Sequence, residues 1–155
     1  MKQSSIVILI FVFAVIFLSL RLDFYSSSVD KIPPGQSIKA VLVNGKKVKV
    51  SLALTETERI LGLSGRTSLP EDEGLLFVFN PPADVGFWMK DMLFSIDIIW
   101  INEKGKVIWV EKNLSPESYP EIFSPPAPAS YVLEVNAGFS DKVDLKTDDQ
   151  IKFLP

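Results

Sequence analysis

Six residues, Ile96 to Ile101, restrict the fold of this chain more than any other segment. They read IDIIWI. Side chains alternate across a strand, so Ile96, Ile98 and Trp100 share one face and Asp97, Ile99 and Ile101 the other. Both faces are apolar, which predicts a central strand covered on both sides. Asp97 is then the exception, a carboxylate on a buried or cleft-lining face. Such a group is costly unless hydrogen-bond donors reach it. Beyond the N-terminal region the chain has two arginines, Arg59 and Arg66. An Arg66–Asp97 pair is therefore the expectation, with Asp97 capping a loop as the alternative.

The strands around it follow from local signals. SIKAVLV and KKVKVSLAL alternate on either side of Asn44-Gly45, the preferred pair for a type I′ turn, and predict a hairpin. Thr55 and Glu58 have capping-box spacing, so a short helix starts there, and Gly62 and Gly65 end it. Further strands are expected at Leu75–Phe79, Val85–Lys90, Ser95–Asn102 and Lys106–Glu111, then in SYVLEVNAG and QIKFL. Lys104-Gly105 marks a second hairpin, and FSDKVDLKTDD a turn or short helix. No βαβ rhythm is visible. Many short strands with one or two short helices predict a mainly β domain, a small jelly-roll-like sandwich or a partly closed barrel.

The N-terminus is of a different character. Ile6 to Leu20 is apolar except for Ser19, and predicts a hydrophobic helix within residues 1–25. It reads as a membrane anchor, with the cleaved signal peptide as the alternative. No A-x-A-like site follows it, Ser26 and Ser28 being a weak substitute, which favours the anchor. Lys2 ahead of the segment favours an inside N-terminus. Residues 26–36, ending in Pro-Pro-Gly, read as a linker, and 37–155 as one β-rich domain on the extracytoplasmic side, or secreted if the segment is cleaved.

Composition removes several chemistries. With no Cys and no His, the chain has no disulfide, no Cys nucleophile, no Ser-His-Asp triad and no Cys/His zinc site. The net charge is −3 and the basic residues are scattered, mostly single lysines, which argues against nucleic-acid binding. No cofactor is implied. Asp141, Asp144, Asp148 and Asp149 fit no standard Ca²⁺ loop and read as a solvated acidic turn.

Read as a strand, FWMKDM places Trp88 beside Lys90, an amphipathic wall suited to a sugar, a peptide or an anionic group. Glu134 lies opposite Tyr131, Leu133 and Val135, consistent with a solvent-facing side that Asn136 shares. Residues 114–129 hold five prolines, with Tyr119, Ile122 and Phe123 among them. A loop of that kind pins itself in extended form or docks a partner.

Taken in order, TETERILGLSGRTSL, GLLFVF, FWMKDM, IDIIWI, SPPAPASYVLEVNAGF and DDQIKF resemble the prokaryotic domain-of-unknown-function family 192 over about residues 38–154. The family pattern runs A-x-T-x-x-E-R-x-x-G-L-M-x-R, G-M-L-F-x-F, W-M-K-N-T, L-D-I-I-x-I and Y-V-L-E-x-N-A-G. Here Ser64 and Leu75 stand where the family has Met, and Asp91-Met92 where it has Asn-Thr. The resemblance implies a small β barrel behind a signal or anchor. It carries over Glu58, Arg59, Gly62, Arg66, Trp88, Lys90, Asp97, Glu134 and Asn136 as motif residues, without a function.

Three functional readings follow. The first is a membrane-tethered, non-catalytic binding module for a small polar or anionic ligand, drawing on Arg66, Trp88, Lys90 and Asn136. The second is a hydrolase with Asp97 and Glu134 as a carboxylate pair, which requires both in one pocket. The third is an accessory protein docking a partner through residues 114–129, its sign an exposed apolar patch near Phe123.

Overall fold

A computed structural model describes residues 38–155. The expected hydrophobic helix and linker lie outside the described residues. Among the described residues no helix is long and apolar enough to cross a membrane.

Strands β1 (Ala40–Val43) and β2 (Lys46–Ala53) form the predicted hairpin. Asn44 at φ 44° and Gly45 at φ 85° supply the two positive φ angles that a type I′ turn demands. Helix α1 (Glu56–Leu61) follows, with the reciprocal capping box in place: Thr55 Oγ1 accepts the Glu58 N–H, and the Glu58 carboxylate accepts the Thr55 N–H. The same carboxylate accepts the Leu54 N–H at 2.9 Å. Strand β3 (Glu73–Ala83) then lies parallel to β2. A parallel neighbour needs a crossover of a dozen or more residues, and residues 54–72 with α1 provide it. This single βαβ unit was not visible as a rhythm in the sequence because its helix is so short.

Strands β4 (Ile96–Ile101), β5 (Val107–Leu114), β6 (Ala129–Asn136) and β7 (Lys152–Leu154) complete one seven-stranded sheet in the order β5-β4-β6-β3-β2-β1-β7. A second short helix, α2 (Phe139–Lys142), follows β6. The sheet curls into a half-barrel. It is one sheet rather than the two of a sandwich, and its parallel pair departs from the antiparallel pairing of a jelly roll.

Every residue of β4 is buried, as its two apolar faces predicted. Cross-strand partners share a face. Ile98 pairs with Glu134, which pairs in turn with Leu75 of β3. That face carries a core of Leu75, Phe77, Ile96, Ile98, Trp100 and Val132, closed by Leu63, Met89 and Met92. Asp97 pairs with Val135 and so points to the other face, with Ile99, Ile101 and Leu133.

The expected strand at Val85–Lys90 is absent. Phe87 makes one isolated bridge with Phe123 of the proline-rich loop, two N–H···O bonds of 2.8 Å. After it the backbone turns: Met92 N–H donates to Met89 O at 3.3 Å, and Asp91 sits at φ 57°. Beyond that one bridge the segment joins no strand of the sheet.

The two sheet edges meet near β7. Lys106, just before β5, bridges Gln150, and Ile151 N–H donates to Gly105 O at 2.8 Å. β7 itself pairs with β1.

Candidate functional site

On the core face, the open side of the sheet is covered by α1 and the loops after it, and a cleft of about 290 Å³ remains between them. Phe77 and Phe79 reach it from alternate positions of β3, and Phe87, Met92 and Leu63 from the covering loops. Glu56, Arg59 and Ile60 line it from α1 at i, i+3 and i+4 spacing, the spacing that puts helix residues on one face. Trp88, half exposed, stands at the mouth against Tyr119, with ring centroids 6.2 Å apart.

Glu134 lies in the floor of this cleft. It is only 5% exposed, and its Oε2 has no hydrogen-bond partner. Burial pushes its carboxyl up to about 8, and the Arg66 charge opposes that rise. Desolvation disfavours the ionised form, and here it outweighs the guanidinium because Arg66 is solvent-exposed. At neutral pH Glu134 is thus mainly a neutral acid, able to donate one hydrogen bond into the cleft.

Gly62 keeps the space above it open. A Cβ there would stand 3.8 Å from Glu134 Oε2 and 3.6 Å from the Phe77 ring. Gly62 also ends α1 at φ 52°, ψ −133°, a conformation available to glycine and strained for other residues. The same residue therefore stops the helix and clears the floor.

Arg59 is half-buried and committed. Its Nη1 donates to Leu54 O at 2.6 Å and Val78 O at 3.2 Å, and its Cζ lies 5.2 Å from the Phe79 ring centroid. It ties α1 to β3 and fixes one cleft wall.

The other sequence candidates fall elsewhere. Asp97 is fully buried on the opposite face and does not take Arg66 as its donor. Its Oδ1 accepts Asn113 N–H at 2.8 Å and Gly138 N–H at 3.1 Å, and its Oδ2 accepts Ser140 N–H at 2.8 Å. Three backbone amides satisfy the charge, so the loop-capping alternative describes Asp97. Because Asp97 and Glu134 face opposite sides of the sheet, they cannot form the carboxylate pair of a glycosidase-like site. Asn136 donates through Nδ2 to Leu69 O at 2.8 Å and Pro70 O at 3.2 Å, holding the loop before β3. Lys90 is exposed and outside the cleft lining; its carbonyl accepts the Ser64 hydroxyl at 2.9 Å. The structure thus gathers Glu134 and Trp88 in one cleft with Arg66 nearby, and leaves Lys90, Asp97 and Asn136 outside.

The acidic turn is also occupied by protein contacts. Asp141 pairs with Lys112 and Asp144 with Lys146, each at 2.7 Å, and Asp149 accepts from Asn44 at 2.8 Å. Sequence reasoning missed Glu56, Phe77, Phe79 and Phe87 as cleft residues. The spacing of Glu56, Arg59 and Ile60 in TETERIL was the available signal for the helical wall.

The profile of the family described as uncharacterized ACR, domain of unknown function 192, matches residues 39–153. The chain belongs to that family. Two crystal structures share its fold. A protein of unknown function from Novosphingobium aromaticivorans DSM 12444 is 29% identical, with a TM-score of 0.70 over 81% of this chain and 91% of the other. A protein from Sinorhizobium meliloti 1021, described there as a candidate transcription regulator, is 27% identical, with a TM-score of 0.68 over 74% and 90%. No curated protein matches the chain. Within the family pattern, Glu58 acts as the helix cap, Asp97 as the loop brace and Asn136 as the loop tie. Arg59, Gly62, Trp88 and Glu134 are the motif residues that shape the cleft.

Proposed function

We propose that this protein is a non-catalytic binding module that takes a small ligand in the cleft over Glu134. The observation that carries the reading is the unpartnered Oε2 of a buried carboxyl in the lining of an aromatic-walled cleft. Buried polar groups in folded proteins nearly always have a partner, and an orphan in a cleft is the place for a ligand atom. Of the polar and anionic ligands expected from sequence, the polar one suits this floor. An anion would meet Glu134 and Glu56, while Arg59 Nη1 already serves two carbonyls.

The accessory-protein reading is favoured by Tyr119 and Ile122, 46% and 61% exposed. They adjoin the cleft rather than forming a separate patch: Tyr119 packs on Trp88, and Ile122 touches the position of Gly86 in the cleft wall. One site accommodates both features. The Ile6–Leu20 run supports placing the domain on the extracytoplasmic side behind an uncleaved anchor. Protease accessibility in spheroplasts would test that placement, and protection of the domain would overturn it.

The cleft reading is tested by melting the full-length protein with a panel of small polar compounds. A ligand at a hundredfold excess over its Kd stabilises the folded state by about 2.7 kcal/mol. A shift that disappears in Glu134→Gln, with the fold intact, supports the cleft. Absence of any shift across the panel refutes it.

A further inference from the structure

We infer that the cleft is a site for an organic cation, an ammonium group on a slender apolar stem, with Glu134 as its counter-charge. The inference rests on the reading of the cleft as a binding site and adds the class of ligand. Four aromatic side chains, Phe77, Phe79, Phe87 and Trp88, line the space. Ring faces attract cations, most strongly where water is excluded. One of these rings already does so within the fold: Phe79 lies under the Arg59 guanidinium. Two carboxyl groups, Glu56 at the rim and Glu134 in the floor, line the space, and Glu134 adds a negative charge there once it gives up its proton. The volume, about 290 Å³, suits a small molecule or a single side chain.

Binding exchanges one cation for another. The neutral Glu134 carboxyl releases its proton to buffer, and the resulting carboxylate pairs with the incoming ammonium, so charge in the floor balances before and after. The charged groups around Glu134 are Arg66, which favours its ionised form, and Glu56 and Arg59, which share the cleft from α1. On the sheet its cross-strand neighbours are Leu75 and Ile98, which lend it no hydrogen bond. An ammonium is therefore the partner the fold leaves out. A free alkylamine and a lysine side chain present the same head.

Titration calorimetry of the full-length protein with n-butylammonium, in two buffers of different ionisation enthalpy, tests the exchange. At pH 7 nearly one proton should be released per ligand bound, and Kd should fall about tenfold from pH 6 to pH 7, because a carboxyl near 8 ionises tenfold more per pH unit there. Glu134→Gln should abolish both effects. The proton count on the unaltered protein stands even if that variant fails to fold. N-acetyl-lysine amide in a parallel arm distinguishes the two sources, and binding of either with proton release supports the inference. If n-butanol binds as tightly as n-butylammonium and no proton is released, the cation is wrong and the cleft reading survives. If n-butyrate binds instead, the charge assignment is reversed and the inference falls. If none of the four compounds binds at millimolar concentration, the inference falls, and the panel of polar compounds decides the cleft reading.

Discussion

Asp97 Oδ2 accepts the N–H of Ser140 at 2.8 Å, from a residue in the first turn of α2 more than forty positions further along the chain. Its Oδ1 takes the N–H groups of Asn113 and Gly138. One carboxylate thus pins the end of β5 and the β6–α2 turn to β4. Charge-assisted bonds from backbone amides are the strong kind, and removing an acceptor strands buried donors.

Replacing it should be felt as stability. Asp97→Asn retains one oxygen but turns an NH₂ toward a backbone N–H, and should destabilise the domain by about 3 kcal/mol. Urea unfolding of the variant and the parent measures this. A difference under about 1 kcal/mol would show that the three bonds matter little.

Glu134 gives the opposite pH signature to an ordinary acidic residue. Its folded value, about 8, lies above its usual 4.5, so the folded protein holds the proton more tightly than the unfolded chain. The resulting stability is fully present below about pH 4.5 and is lost as pH rises through about 8. Between those limits stability should decline by up to about 1.4 kcal/mol per pH unit from this group. Glu134→Gln should remove that decline, so the variant gains on the parent as pH rises from 5 to 8. Urea midpoints across that range decide it, and parallel curves for the two proteins would contradict the burial of the acid.

Gly62 serves the helix end and the cleft together. Gly62→Ala places a methyl group near Glu134 and the Phe77 ring in a strained backbone conformation. The variant should lose about 2 kcal/mol of stability and most of any cleft-ligand response. Thermal melts with and without n-butylammonium read both effects. A stable variant with full ligand response would place the ligand elsewhere.

Thr55 starts the helix that forms one wall of the cleft. Thr55→Ala removes the acceptor of the Glu58 N–H and should cost about 1 kcal/mol. Faster amide exchange at Glu58 should accompany the loss. Unchanged exchange there would mean that packing of α1, not its cap, holds the wall.

What could be read from sequence was what local chemistry dictates. The Asn44-Gly45 turn, the Thr55–Glu58 cap and the double-sided burial of β4 each depend on residues within a few positions. The partners of Asp97 were hidden because backbone amides at 113, 138 and 140 carry no residue signature. Glu134 read as a solvent-facing acid because its own strand says nothing of its neighbours. Register supplies Leu75 and Ile98 on either side, and α1 covers the cleft above. Trp88 and Lys90 alternated as in a strand, but the segment makes one bridge at Phe87 and then turns at Asp91.

The bond between Ile151 and Gly105 has a bearing on how the protein is made. Residues 149–151 and β7 touch the start of β5, the β1–β2 turn at Asn44 and residues Ala40 to Leu42 of β1. A chain growing from its N-terminus therefore emerges from the ribosome with six strands complete and both outer rims of the sheet still bare. Bare rims are where chains pair with one another. The hazard of misassembly lasts until residues 148–154 arrive, when β7 covers β1 and the residues just before it meet the start of β5.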